Sequence, residues 1–244
     1  MILAAGFGTR LRPLTETTPK PLLKVGGTPL ILWNLLLLRA SGIKEVIINL
    51  HYLGHQIQET LGDGTRWGMQ VSYSCERDIL GTGGGLKAAE SFFEGQPVLV
   101  MNGDTLIDLD IPAFVDSHLT RGGIATLVLR DDPQAQQWGA VESNTEGRIL
   151  RITGQGAKAG NGDEETVMRM FAGVHILHPS ILQESPSGES FSIIESYIRE
   201  LVRGSRMFGF VHAGYWSDIG TLERYARAQA DVEEGLIELP YRRG

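Results

Sequence analysis

Gly6, Gly8, Arg10, Arg12 and Lys20 crowd the start of the chain, and their types suit one task, holding a phosphate. Glycines let backbone N–H groups come close to an anion with no Cβ in the way. Arg10, Arg12 and Lys20 bring positive charge to the same place. Pro19 and Pro21 fix the backbone on either side of Lys20 and so limit where its amine can go. The pattern is not the dinucleotide fingerprint, because Leu11 stands where the third glycine belongs. It is not a P-loop either, since no Gly-Lys-Ser/Thr follows the turn.

Two acids stand out further along. Asp104 ends the apolar run Val98 to Gly103, so its carboxylate is expected at the C-terminal edge of a sheet, where α/β proteins bind ligands. Asp218 lies in Trp216-Ser217-Asp218-Ile219-Gly220-Thr221, ahead of a closing helix that Thr221 can cap. Cys75 is the single cysteine; no motif surrounds it, and it reads as a packed or half-exposed thiol.

Strand and helix patterns alternate through the first half, which predicts an α/β fold with a doubly wound, mostly parallel sheet. The apolar run Ile2 to Ala5 reads as the strand that delivers the glycine turn. Helices are expected over 29–40, 54–61, 84–93 and 111–120, and strands over 45–50, 70–74, 97–101 and 125–130. Past Asp131 the texture changes to a small ribbon, with strands near 139–142 and 148–153 around the turn 144–147. Residues 154–165 are glycine-rich and polar and read as a mobile loop. A strand over 168–177, a helix over 193–203, a strand over 207–211 and a helix over 221–234 complete the chain. The expected organisation is one domain over 1–244, with halves over 1–130 and 131–244. The first strand begins only at Ile2, which predicts either that natural residues precede Met1 or that this strand is unusually short.

The formal net charge of −7 over 244 residues argues against nucleic acid or an anionic membrane as partner. The most apolar stretch, Leu30 to Leu38, is broken by Asn34 and falls short of the ~20 residues of a spanning helix. A single cysteine fits a reducing cytoplasm. A homo-oligomer is left open.

Leu3-Ala4-Ala5-Gly6-x-Gly8-Thr9-Arg10-Leu11-x-Pro13-Leu14-Thr15, followed by Pro19-Lys20-Pro21-Leu22, resembles the signature of the sugar-1-phosphate nucleotidyltransferases. The resemblance implies a Rossmann-like fold and a reaction in which a sugar 1-phosphate attacks the α-phosphorus of a nucleoside triphosphate, releasing pyrophosphate. Leu3, Ala4, Ala5, Gly6, Gly8 and Thr9 would then wrap the triphosphate. Arg10 would stabilise the leaving pyrophosphate, and Lys20 would sit at the α-phosphate. Asp104 and Asp218 would be the ligands of Mg2+, since a bare carboxylate facing a triphosphate needs a cation between them. Arg12 is as well read as a surface arginine.

Glu76 and the Leu80-Gly81-Thr82 element are expected at the base. A carboxylate only accepts hydrogen bonds, and guanine offers adjacent N1–H and N2–H donors, so Glu76 favours guanine over uracil. Gly139 and Gly173 are expected on the sugar side. The Glu-Lys-Pro element that many relatives carry after the ribbon is missing, which leaves Lys158 and Arg151 as candidates for the sugar phosphate. The reading is therefore a GTP-using, mannose- or heptose-1-phosphate guanylyltransferase serving cell-envelope polysaccharide. The alternatives are an N-acetylmuramate-1-phosphate uridylyltransferase, a phosphoalcohol cytidylyltransferase and a non-catalytic sugar-nucleotide sensor.

Overall fold

Short apolar segments alternate with helices, some of them bounded by glycine or proline, as α1 is by Pro29 and α2 by Gly62. A computed structural model describes residues 1–156 and 165–237. In chain order they begin with β1 (Ile2–Leu3), β2 (Lys24–Val25), β3 (Thr28–Pro29), α1 (Leu30–Ala40), β4 (Glu45–Leu50), α2 (Gly54–Leu61) and β5 (Gln70–Cys75). Then come α3 (Gly81–Ala88), β6 (Val98–Asn102), β7 (Thr105–Ile107), α4 (Ile111–Arg121) and β8 (Ala125–Arg130). The remainder is β9 (Ala140–Asn144), β10 (Ile149–Ile152), β11 (Gln155–Gly156), β12 (Thr166–Leu177), α5 (Ile193–Val202), β13 (Met207–Val211), β14 (Trp216–Asp218) and α6 (Leu222–Glu233).

The chain divides into two compact units. One comprises Met1–Ile79, Met101–Ile111 and the chain from Gly214 onward; the other comprises Leu80–Val100 and Pro112–Ala213. In the first, β1 pairs in parallel with β4 and with the end of β6, and β4 pairs in parallel with β5. The register sets Leu3 beside both Asn49 and Asn102. Helix α1 is apolar nearly all round and is buried accordingly, with Trp33, Leu35 and Leu38 almost wholly covered. Its one polar core residue, Asn34, donates to the Asn102 carbonyl at 3.2 Å, at the end of the strand that leads to Asp104.

The second unit carries the ribbon. Strand β12 pairs antiparallel with β8 and with β9, β9 with β10, and β10 with β11, while β13 joins β8 in parallel. The turn between β9 and β10 is closed by Gly147 N–H on the Asn144 carbonyl at 2.9 Å. Phe114, Leu127, Val141, Val174 and Tyr197 form its core. The fold class is α/β, as expected.

The structure departs from the expected elements at several points, among them the first strand, which ends at Leu3 and not at Ala5, and the β2–β3 hairpin, which the sequence pattern does not predict. The helix expected over 84–93 starts at Gly81 and gives way to a short 3-10 turn over Glu90–Phe93. Of the loop expected over 154–165, Gln155 and Gly156 pair with β10 as a strand; residues 157–164, Lys158 among them, lie outside the described residues. The antiparallel pair β7–β14 was not foreseen at all. Among the described residues, no helix is long and apolar enough to cross a membrane.

Candidate active site

The first strand ends at Leu3, and the chain turns through the glycine loop into a 3-10 turn over Thr9–Leu11. Gly8 takes the left-handed conformation (φ 64°), which a glycine adopts at little cost. A Cβ there would stand 3.0 Å from Thr15 Cγ2 and 3.1 Å from Lys20 Cβ, so the missing side chain is also what lets the loop lie against Lys20. Thr15 donates to the Gly8 carbonyl at 2.8 Å, and Leu11 is fully buried as the loop's anchor. Phe7, at the tip, packs edge-on against His51 and tilted against Tyr52. Among the described residues, no acceptor faces the N–H groups of Ala5, Gly6, Phe7 and Gly8. Four successive amides open in this way form a concavity suited to anionic oxygens.

Ala4 differs from its neighbours. Its N–H is taken by Asn49 Oδ1 at 2.8 Å, and Asn49 Nδ2 donates to Glu76 Oε1 at 2.7 Å. Both Asn49 and Glu76 are buried. For Glu76, expected at the edge of a base, the structure shows Oε1 accepting from Asn49. The carboxylate acts as the far end of a tie that holds the loop's first residue.

Lys20 follows the extended Pro19 and is buried, with 8% of its surface exposed. Its amine forms an ion pair with Asp104 Oδ2 and lies 3.8 Å from Asp218 Oδ1. The β7–β14 pairing makes this possible. Asp218 stands opposite Thr105 in register, and Ile219 N–H donates to the Asp104 carbonyl at 3.1 Å. Two acids remote in sequence thus come to share one lysine. Arg224 Nη1 reaches Asp218 Oδ2 at 2.9 Å. A Cβ on Gly220 would lie 2.7 Å from that oxygen and 3.0 Å from an Arg10 guanidinium nitrogen, so Arg10 also borders Asp218.

Burial raises the Asp218 carboxyl above its ordinary value and the Asp104 charge adds to this, while Lys20, Arg224 and Arg10 pull it down. Two carboxylates held this close, one of them pushed toward its neutral form, are suited to a shared cation. Their hard oxygens fit Mg2+, which takes one or two carboxylates together with phosphate oxygens. Among the described residues there is no cluster of three or more such ligands.

The other expected residues belong to the second unit. Thr82 Oγ1 accepts from Ile193 N–H at 2.9 Å at the start of α5, and Gly83 N–H donates to the Phe191 carbonyl at 2.9 Å. Cβ atoms on Gly81, Gly83 and Gly84 would all collide with the segment Glu189–Phe191. The glycine run therefore seats this segment, and the Thr82 hydroxyl is occupied as an acceptor. Gly139 (φ 90°) precedes β9, and Gly173 (φ 77°) sits where the β12–β8 register shifts. Arg151 pairs with Glu142, Nε to Oε2 at 2.7 Å, and Arg12 is exposed.

Sequence reasoning missed Asn49, Arg224 and Thr15. Asn49 had a signal, a lone amide in the apolar strand Val46 to Leu50. Arg224 had one as well, a cation in the first turn of a helix.

The family model described as Nucleotidyl transferase matches residues 1–235. An N-acetylmuramate alpha-1-phosphate uridylyltransferase of Neisseria meningitidis serogroup B is 39% identical over 237 residues, 94% of this chain and 96% of its own length. A mannose-1-phosphate guanylyltransferase of Mycobacterium tuberculosis is 30% identical, across 100% of this chain and 67% of its own. The solved structure of HddC from Yersinia pseudotuberculosis complexed with GMP-PN matches with a TM-score of 0.76 at 26% identity, over 95% of this chain and 97% of that one.

Proposed function

The chain belongs to the nucleotidyl transferase family, as a sugar-1-phosphate nucleotidyltransferase, and on that premise we propose that it transfers the uridylyl group of UTP to an N-acetylmuramate-type sugar 1-phosphate, releasing pyrophosphate. The observation that carries the reading of the site is Lys20 set between Asp104 and Asp218, beside four open loop amides. Transfer of a nucleotidyl group asks for positioning and charge neutralisation more than for covalent help. In this reading Ala5, Gly6, Gly8 and Thr9 hold the triphosphate and Arg10 faces the leaving pyrophosphate. Lys20 places its charge at the α-phosphorus. Leu3 and Ala4 fix where the loop starts, tied through Asn49 and Glu76.

Asp104 and Asp218 would hold Mg2+, which when bound supplies a Lewis acid for the phosphate oxygens. The sugar side is assigned to the second unit, with Gly139 and Gly173 allowing close approach of backbone. Gly81 and Thr82 act there by seating α5, and contact the base only through their backbone.

The choice of uracil rests on two supports. The 39% identical relative, matched over nearly all of both chains, is named as a uridylyltransferase. The argument for guanine rested on Glu76, whose Oε1 serves Asn49. Guanylyl transfer to a manno-configured sugar is the second reading, favoured by the match across the whole chain to a mannose-1-phosphate guanylyltransferase and by HddC complexed with GMP-PN.

The test is pyrophosphate release with UTP, GTP, CTP, ATP and dTTP. Each is crossed with N-acetylmuramate, mannose, heptose and glucose 1-phosphates and with phosphocholine, with Mg2+ and with chelator. Turnover of UTP with the muramate sugar, lost on chelation, is the expected result. GTP with a manno-sugar would establish the second reading, and silence across the panel would remove both.

A further inference from the structure

The first turn of α6 breaks a local rule. Its N-cap is Thr221, whose hydroxyl accepts from Arg224 N–H at 3.3 Å. The third helical position after such a cap is where a Glu or Gln completes a capping box. The positive end of the helix dipole also favours acids there and disfavours cations. The chain places Arg224 at that position instead. Where a sequence departs from local preference, a function or a compensating contact accounts for it, and here the contact is the 2.9 Å bond from Arg224 Nη1 to Asp218 Oδ2.

We infer that Arg224 is a positioning residue for the reaction: it fixes the Asp218 carboxylate so that Oδ1 is turned toward Lys20 and the cation site. The inference rests on the reading of Asp218 as a metal-holding acid. The two oxygens of Asp218 are divided between two cations, Oδ2 to Arg224 and Oδ1 toward Lys20 at 3.8 Å. Gly220 leaves room for the carboxylate in this orientation, because a Cβ there would lie 2.7 Å from Oδ2. Rotation of the carboxylate away from this orientation gives up the arginine bond.

The arginine itself stands on a fixed platform. Tyr225 OH and Gln229 Nε2 both donate to the Lys24 carbonyl, at 2.8 and 2.7 Å. Gly26 N–H donates to Gln229 Oε1 at 2.9 Å. Lys24 and Gly26 belong to the β2–β3 hairpin that directly follows Lys20–Leu22. Helix α6 therefore holds two of the three members of the Asp104–Lys20–Asp218 group: Asp218 through Arg224, and the chain after the lysine through Tyr225 and Gln229.

The test compares Arg224→Gln, which keeps a donor and most of the length but loses the charge, with Arg224→Lys, which keeps the charge and loses the planar fork. Mn2+ affinity is read by electron paramagnetic resonance without substrates, and kcat and KM are read with substrates. Partners that orient a metal ligand are worth ~10- to 100-fold in metal affinity or activity. Arg224→Gln should lose that much Mn2+ affinity and lower kcat more than it raises KM, with its melting temperature near wild type. Arg224→Lys should recover part of both losses. In an Asp218→Asn background, Arg224→Gln should change Mn2+ affinity no further. Wild-type Mn2+ affinity in Arg224→Gln would overturn the inference, as would the same fold-loss with Asp218 already neutral. A wild-type protein silent across the substrate panel would instead overturn the reading on which it rests.

Discussion

Replacing Asn49 by alanine removes one side chain and two bonds, and the structure says what each is worth. The Ala4 N–H would lose its acceptor at 2.8 Å, at the end of a buried strand. An unpaired buried amide costs about 1–3 kcal/mol. Glu76 would lose a donor at 2.7 Å, and a hydrogen bond to a charged group contributes about 1.5–3 kcal/mol. With 8% of its surface exposed, Glu76 can recover part of this from water, so the net loss should be about 3 kcal/mol. For a chain of this size that corresponds to a melting point lower by about 6–12 °C. Because Ala4 leads into the glycine loop, KM for the triphosphate should rise several-fold while kcat changes less.

Urea unfolding followed by circular dichroism, and initial rates over a triphosphate titration, read the two effects. Asn49→Asp keeps an acceptor for Ala4 but sets a second carboxylate against Glu76, and should cost at least as much. Adding Glu76→Gln to that variant restores a donor opposite the new acid and should return most of the stability. A loss below about 1 kcal/mol in Asn49→Ala, with wild-type KM, would refute the tie as the element that holds the loop.

Lys20→Ala should lower kcat far more than it weakens triphosphate affinity, because its charge is used at the reacting phosphorus; equal losses in the two parameters would mean uniform binding. Asp218→Asn should raise the melting temperature of the metal-free protein at neutral pH while abolishing turnover. The Asp218 carboxyl is raised by burial and by Asp104, so its ionised form costs stability once the pH exceeds its folded value, and the advantage of asparagine should vanish on acidification. His175 is held at about 3 by burial, below its ordinary 6.5, beside the Tyr197 hydroxyl. The unfolded chain therefore takes up a proton between these values that the folded chain does not, and stability should fall with decreasing pH by up to about 1.4 kcal/mol per unit. A His175→Gln variant with the same pH slope as wild type would exclude this cause.

The elements with a clear period were legible. Strand β4 and helix α2 have the expected limits, because a β-branched run and an amphipathic turn followed by Gly62 leave little choice. The turn at Gly8 was legible from residue type, since left-handed backbone favours glycine. The pairing of β7 with β14 was not. Strands of three residues carry no period, and only their register brings Asp218 to Asp104. Nor could the sequence show that the Glu76 carboxylate and the Thr82 hydroxyl face inward to Asn49 and Ile193, because an acceptor looks the same in a sequence whichever donor it meets.

Asn49 and Arg224, both missed, share with the glycines of α3 a local preference overridden. Asn49 is an amide in an apolar strand, Arg224 a cation at the positive end of a helix, and Gly83 to Gly85 are glycines inside one. Each such choice costs about 1 kcal/mol or more in isolation, so each implies a partner. The partners separate the cases. Gly83 makes room for the Phe191 ring and Gly84 for the Glu189 backbone, which is a packing reason. Asn49 and Arg224 bind polar groups that border the open amides and the acid pair. The chain carries a net charge of −7, yet Arg10, Lys20 and Arg224 all act on one half-buried carboxylate. A fold with no use for an ionised acid there would have replaced it with an apolar residue at lower cost. Three cations gathered on Asp218 are the stronger argument that its charge is what the site requires.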